Sequence, residues 1–200
     1  MQVAQIMSRK LITISPDKRV NEALKMMQTH DIRHLPVVEG DRLVGWVTSR
    51  DLREVLLASM IGKITIQDVM MQEFLTVSPE TGVEEAARLA HEHKIGGMPV
   101  MEAGRLVGII TVMDLLGAFL SMLGLLQASS RLDLLLEDHP KAFDAAYRLI
   151  AQAGGEIINV ALGPLQEGKR LYSFRLGKCD LTPILNTLEK HAIQVEDFIR

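Results

Sequence analysis

Residues 32–51 read IRHLPVVEGDRLVGWVTSRD, and residues 95–114 read IGGMPVMEAGRLVGIITVMD. Both stretches contain a Pro-Val pair, an Arg-Leu-Val-Gly run and a terminal Thr-x-x-Asp at the same spacing. Outward from this pair, an offset of 63 aligns residues 3–52 with residues 66–115 without a gap, and nineteen of the fifty positions are identical. A match of this length indicates an internal duplication, so this part of the chain should form two copies of one unit.

Each copy has the pattern of a small α+β unit. In the first copy, Ser15-Pro16 precedes apolar residues at helical spacing and predicts a helix start, because serine can cap free N–H groups and proline suits the first turn. Two short strands follow at residues 35–38 and 42–47, and a second helix begins near Ser49. A single unit exposes too much apolar surface to be stable alone, so the two copies should bury each other's sheets.

Thr48 and Asp51, repeated as Thr111 and Asp114, stand where the last strand of each copy leads into a helix. Two interpretations remain open at this point. A threonine at the N-cap with an acid three residues later forms a capping box, which complements the helix dipole. Alternatively, the free N–H groups and the hydroxyl at this helix start bind phosphate oxygens while the aspartate accepts hydrogen bonds from ribose hydroxyls.

Composition narrows the class of protein. The chain of 200 residues has 48% hydrophobic and 24% charged residues, which is typical of a folded domain protein. Its net charge of −3 gives no electrostatic reason for nucleic acid or an anionic membrane to be the main partner. The single cysteine, Cys179, excludes an intramolecular disulfide, and the first residues lack signal-peptide features, so we expect the cytoplasm. The longest apolar run, residues 115–126, is too short to cross a bilayer.

The candidates for catalysis and metal binding are weak. His91 and His93 are two residues apart and would point to different sides of a helix. The sequence contains neither a Gly-x-Ser-x-Gly elbow nor a Walker loop. We therefore expect no catalytic residues and no metal site, which makes an enzyme the least favoured class.

The doubled pattern Met-x(5)-Thr-x-Ser-Pro, Ile-x-x-hydrophobic-Pro-Val and Gly-hydrophobic-hydrophobic-Thr-x-x-Asp resembles the CBS domain. CBS domains pair into a Bateman module, so the resemblance implies β-α-β-β-α repeats at residues 1–62 and 63–128. It also implies two clefts, each built from both repeats, that bind an adenine nucleotide (AMP, ADP or ATP), S-adenosylmethionine or NAD as a regulatory ligand. In such clefts the first threonine and the residues before the proline enclose adenine, and the aspartate holds ribose.

The resemblance assigns different residues to the two clefts. The first would contain Thr13, Arg33, His34, Leu35, Pro36, Thr111 and Asp114. The second would contain Thr76, Gly97, Met98, Pro99, Thr48, Arg50 and Asp51. Arg33 and His34 give the first cleft positive charge where the second has Gly96 and Gly97, while Arg50 could supply charge to the second. Taken singly, each basic residue fits a solvated surface charge better; beside a helix start they jointly favour phosphate.

The remainder of the chain has a different pattern. Residues 115–130 are apolar on nearly all sides of a helix and predict a closing helix that also forms a dimer contact. Residues 131–200 have the order strand, helix, strand, strand, helix, strand, which is ferredoxin-like, with a hairpin expected around Gly163-Pro164 and Gly168.

This last region resembles an ACT domain, a module that binds small molecules and forms pairs. ACT ligand loops commonly read Asp-x-Pro-Gly, whereas residues 138–141 read DHPK. Because lysine replaces glycine, the sequence is equally consistent with two roles for this region, amino-acid binding and a purely structural role in pairing.

Two CBS repeats followed by an ACT-like domain, together with the stretch IRHLPVV, resemble the AcuB family, named for acetoin utilisation. The resemblance implies a non-catalytic, homodimeric regulatory protein that senses an adenosyl ligand and transmits its occupancy to a partner protein. A homodimeric scaffold with unoccupied clefts is the alternative.

Overall fold

The chain forms two compact units, Met1–Ala118 and Phe119–Arg200, and the two repeats lie in the first except for the end of the last helix of the second repeat. The computed structural model describes residues 1–58 and 64–199. The predicted boundary between the repeats, after residue 62, lies outside the described residues.

Both repeats have the same order of helix, strand, strand, helix. The first contains α1 (Val20–His30), β1 (His34–Glu39), β2 (Arg42–Thr48) and α2 (Ser49–Ala58), and the second contains α3 (Val83–Glu92), β3 (Gly97–Glu102), β4 (Arg105–Thr111) and α4 (Val112–Met122). Strands β1 and β2 pair antiparallel, as do β3 and β4. The strand predicted before the first helix is a single parallel bridge in each repeat, Ile14 with Val37 and Val77 with Val100.

The predicted capping role of Ser15-Pro16 is wrong. Helix α1 begins only at Val20, and its N-cap is Arg19, whose backbone N–H donates to Glu22 Oε1 at 3.2 Å. The Ser15 carbonyl instead accepts a hydrogen bond from Lys18 N at 3.2 Å. The Ser-Pro pair therefore forms a turn before the helix, and the Pro16 carbonyl accepts a hydrogen bond from Gln67 N at 2.9 Å.

The repeats exchange their first residues. Val3 is fully buried, and its N–H donates to the Thr81 carbonyl of the second repeat at 2.9 Å. The equivalent residue 63 positions later, Ile66, is fully buried in the core of the first repeat, and its N–H donates to the Lys18 carbonyl at 2.7 Å. Each repeat thus completes the core of the other, which gives a physical basis for their pairing.

The second unit contains one antiparallel sheet of four strands in the order β6-β7-β5-β8. Its elements are β5 (Ser129–Glu137), α5 (Pro140–Gln152), β6 (Ile157–Gln166), β7 (Lys169–Gly177), α6 (Thr182–Lys190) and β8 (Gln194–Ile199). This is the predicted order of elements. Alternate residues of β5 and β7 pack against the two helices in a core that includes Leu132, Leu134, Ile150, Phe174 and Ile184.

Two sequence predictions in this region are wrong in detail. The helix predicted over residues 115–130 ends at Met122, because Gly124 adopts a left-handed φ of 68° and Ser129 already belongs to β5. Gly163-Pro164 does not form the hairpin turn but lies inside β6, where the ladder to β7 shifts register. The turn lies at Glu167 and Gly168, which have φ values of 52° and 80°.

Candidate functional site

Thr48 and Asp51 form a closed hydrogen-bond set at the start of α2. The carboxylate oxygen Oδ2 of Asp51 accepts from Thr48 N at 3.2 Å and from Thr48 Oγ1 at 2.6 Å, and Asp51 N donates to Thr48 Oγ1 at 3.4 Å. Thr111 and Asp114 repeat this arrangement at the start of α4, at 2.8, 2.5 and 3.3 Å. The capping interpretation is therefore confirmed, and these bonds use only one oxygen of each carboxylate.

The residues around Pro36 and Pro99, the prolines that the two repeats share, lie beside these helix starts. In the β1–β2 ladder His34 is opposite Thr48, and in the β3–β4 ladder Gly97 is opposite Thr111. The residues that follow in each strand are buried, namely Leu35, Pro36, Met98 and Pro99. The first residue of each strand, His34 or Gly97, is therefore next to the threonine of its own repeat.

Two connecting segments link the repeats at this place. Residues 8–14 lead from Ser8, which pairs with Ile109 on β4, to Ile14, which pairs with Val37 on β1. Ile14 N donates to the Pro36 carbonyl at 3.1 Å, so the half-buried Thr13 immediately precedes a residue bonded to Pro36. The segment thus connects the strand that ends in Thr111 with the strand that contains Pro36.

The second segment has the same geometry with the repeats interchanged. Met71 pairs with Trp46 on β2, and Val77 N donates to the Pro99 carbonyl on β3 at 3.1 Å. Thr76, which is exposed, precedes Val77 and lies between these two connections. Sequence reasoning did not foresee either segment, because pairing between residues so far apart leaves no local signal in the sequence.

His34 lies against the second repeat. A Cβ atom added at Gly96 would lie 2.9 Å from His34 Nε2, and one added at Gly97 would lie 3.4 Å from His34 Cε1. The ring is stacked on Trp46 with centroids 5.7 Å apart. Burial and the neighbouring Arg33 guanidinium lower the pKa of His34, and the Asp51 carboxylate opposes that shift in part.

The predicted basic residues are exposed at the edge of this region. Arg33 and Arg50 both have exposed side chains. The backbone of Arg33 is held at the start of α2, because Ser49 N donates to its carbonyl at 2.9 Å. Within residues 1–58 and 64–199, no hydrogen bond or ion pair joins Arg33 or Arg50 to Asp114 or Asp51.

The structure also bears on metal binding and membrane insertion in the part of the chain that it describes. No group of three or more His, Cys, Asp or Glu side chains is arranged to hold a metal ion there. Among those residues, no helix is both long enough and apolar enough to pass through a membrane.

The sequence profile of the CBS domain family matches residues 3–58 and 66–121, which together make up more than half of the chain. Inosine-5'-monophosphate dehydrogenase of Korarchaeum cryptofilum is 40% identical over 107 residues, which cover 53% of this chain and 22% of that enzyme. The CBS domain-containing protein YhcV of Bacillus subtilis is 31% identical over 114 residues, covering 56% of this chain and 81% of that protein. The match to the dehydrogenases thus spans about a fifth of their length.

Solved structures match the same region. An acetoin utilization protein (AcuB) structure from Vibrio cholerae has a TM-score of 0.57 and 33% identity, covering 63% of this chain and 95% of that chain. The CBS domain pair of protein MJ0100, in complex with 5'-methylthioadenosine and S-adenosyl-L-methionine, has a TM-score of 0.55 and 32% identity, covering 60% and 95%. CBSX2 in complex with AMP has a TM-score of 0.53 and 31% identity, covering 60% and 97%. With its two profile matches and its paired repeats, the chain belongs to the CBS domain family.

Proposed function

We propose that this chain is a non-catalytic sensor that binds an adenosyl ligand in clefts between its two CBS repeats and transmits the occupancy to a partner protein. The observation that carries the proposal is the doubled helix start, Thr48 with Asp51 and Thr111 with Asp114, each placed beside a segment that crosses between the repeats. Protein MJ0100 and CBSX2, which share this fold, hold adenosyl ligands.

The crossing segments support the assignment of residues to two clefts. Residues 8–14 connect β4 with β1, which supports grouping Thr13 and Pro36 with Thr111 and Asp114 in the first cleft. Residues 71–77 connect β2 with β3, which supports a second cleft composed of Thr76, Gly97, Met98, Pro99, Thr48, Arg50 and Asp51. A helix N-terminus borders each proposed cleft, so the helix dipole would stabilise a phosphate group there.

Pairing of two chains completes the proposal. Helix α4 exposes Val112, Met113 and Leu116 at 43%, 69% and 46% of their surface. Exposed apolar residues grouped on one helix are typical of an interaction surface. We assign this surface to a homodimer, and the ACT-like unit, residues 131–200, to the same pairing role.

The alternative function, a homodimeric scaffold with unoccupied clefts, is favoured by one observation. The capping bonds of Asp51 and Asp114 are complete without any ligand, so the repeats do not need one to satisfy these helix starts.

A thermal-shift panel separates the two functions. AMP, ADP, ATP, S-adenosylmethionine, 5'-methylthioadenosine and NAD are each added at 1 mM, with guanosine monophosphate as the matched control. A sensor that binds one of them with a Kd near 10 μM should gain about 2.7 kcal/mol of stability. If no adenine ligand raises the melting temperature above the guanosine control, the scaffold is the correct function.

A further inference from the structure

His34 breaks the symmetry between the two repeats. In the alignment of the two repeats His34 corresponds to Gly97, and Arg33 corresponds to Gly96. Only the first repeat therefore has side chains at these two positions. The imidazole uses the space that the glycines leave, since a Cβ at Gly96 would come within 2.9 Å of Nε2. The His34 ring therefore fills the space between the repeats, and a second side chain at position 96 would not fit beside it.

The ring is close to both helix starts. Gly96, which it approaches, accepts a hydrogen bond from Val112 N, the first residue of α4, at 3.0 Å. The Asp51 carboxylate on α2 is near enough to favour protonation of the ring. His34 is thus close to the helix start assigned to the first cleft and to the aspartate assigned to the second.

The groups packed around the ring determine its charge. Arg33, which precedes β1, opposes protonation, and Asp51 on α2 favours it. Strand β2 contributes Trp46 and β3 contributes Gly97, neither of which is charged. Burial is the largest influence and, together with Arg33, keeps the pKa of His34 below its usual value, so the ring is neutral at neutral pH in the free protein.

A bound phosphate would favour the protonated ring, against the burial that keeps it neutral. An anion beside Arg33 and the α4 helix start neutralises the positive charge that opposes protonation of the ring. The protonated ring then offers a second N–H donor and a positive charge to the phosphate. A neutral thioether or a cationic sulfonium at the same place provides no such compensation, and a sulfonium would repel the protonated ring.

From this geometry we propose that His34 is the residue that makes the first cleft select phosphorylated adenine nucleotides over sulfonium or thioether adenosyl ligands, by taking up a proton when the phosphate binds. The inference rests on the proposed function, because it requires that the cleft bind an adenosyl ligand at all. It goes further by naming the chemical class of that ligand and by linking its affinity to pH.

Calorimetric titration of AMP into the full chain tests the proposal at pH 6.5 and pH 8.0, each in two buffers of different ionisation enthalpy. The dependence of the observed heat on the buffer gives the number of protons taken up. AMP itself changes charge near pH 6, since its second phosphate pKa is about 6. The matched control is therefore His34→Gln, which keeps a neutral polar side chain while the ionisation of AMP stays the same.

We expect the wild type to take up more protons than His34→Gln on binding AMP, and its affinity to rise more steeply toward pH 6.5, by up to tenfold per pH unit for one proton. 5'-Methylthioadenosine should show no difference between the two proteins. Gly96→Ala, which displaces the ring without changing any charge, should reduce the proton uptake as His34→Gln does. This second variant also keeps the test decisive if His34→Gln folds poorly.

Different outcomes overturn different claims. Equal proton uptake in the wild type and both variants, with AMP still bound, overturns the role of His34 and leaves the sensor intact. Absence of binding by every adenine ligand overturns the proposed function and this inference together.

Discussion

At the scale of single residues, His34 should make the stability of the folded protein depend on pH, in addition to its proposed role in binding. Its pKa in the folded protein is lowered by burial and by Arg33. The unfolded chain, in which histidine has a pKa near 6.5, therefore binds more protons than the folded chain as the pH falls below that value. The contribution of His34 to the free energy of unfolding is therefore complete above about pH 6.5 and is lost as the pH falls through the pKa of the folded state.

The resulting prediction concerns the free energy of unfolding between pH 7.5 and pH 5. We expect the wild type to lose more stability over this range than His34→Gln, which has no group to protonate at this position. Urea unfolding at several pH values measures the difference. His30→Gln, which also removes one histidine, is the matched control, because His30 is exposed at the end of α1.

At the scale of elements, helix α4 shows an apolar surface that its own repeat leaves uncovered. Val112, Met113 and Leu116 are exposed, while Leu115 and Ala118 are buried on another face. We expect a dimer at micromolar concentration, and Leu116→Glu should shift it to a monomer because burying an unpaired carboxylate in the contact costs several kcal/mol.

Light scattering coupled to gel filtration measures this directly. Glu84→Lys, an exposed charge reversal on α3, is the control and should remain dimeric. A monomeric wild type, or a dimer unaffected by Leu116→Glu, would show that α4 does not hold two chains together.

Elements with a local sequence signal were predictable. Pro140 at the start of α5, and Thr182-Pro183 at the start of α6, allowed both helix starts to be placed correctly, because proline suits the first helical turn. Ser15-Pro16 is a similar pair but opens a turn instead, and the residues after it bond to residues 65–67, with Gln67 N donating to the Pro16 carbonyl and Ile66 N to the Lys18 carbonyl. Local propensity cannot distinguish these cases, because the difference depends on what lies beyond the turn.

Contacts between distant residues were not predictable from the sequence. The exchange of Val3 and Ile66 between the repeats joins residues about eighty and fifty positions from their partners, Thr81 and Lys18. The contact of His34 with Gly96 likewise depends on the pairing of two folded repeats. The site threonines and aspartates were identified because they recur at a fixed spacing, whereas the position of His34 close to both helix starts left no such trace.

At the scale of the whole molecule, the two units should respond separately to mutation. Phe174 is fully buried in the core of the second unit, against Phe143 and the strand residues beside it. Phe174→Ala should destabilise this unit by about 3–5 kcal/mol, because it leaves a cavity in a packed core. It should leave the affinity for AMP unchanged, since every residue assigned to the clefts belongs to the first unit.

Differential scanning calorimetry and an AMP titration check the two parts of this prediction. Tyr147→Ala is the matched control, because Tyr147 is 44% exposed and its removal should cost less than about 1 kcal/mol. A loss of AMP affinity in Phe174→Ala alone would show that the second unit takes part in the binding site.

The central claim is that the aspartates at the helix starts hold a ligand in addition to capping the helices. Titration of AMP into the wild type and Asp114→Asn by calorimetry tests it most directly. If Asp114 only caps the helix, Asp114→Asn should lower the free energy of unfolding by at most about 1 kcal/mol and leave AMP binding unchanged. If Asp114 also binds ribose, the same substitution removes charge-assisted hydrogen bonds from the ribose hydroxyls, each worth about 1.5–3 kcal/mol. We predict at least a tenfold weaker AMP affinity at the Arg33 and His34 site in Asp114→Asn. Asp51→Asn, in the other cleft, should affect that site far less, because Asp51 acts there only by favouring the protonated form of His34. Equal AMP affinity in the wild type and in Asp114→Asn would contradict the account and leave only the capping box.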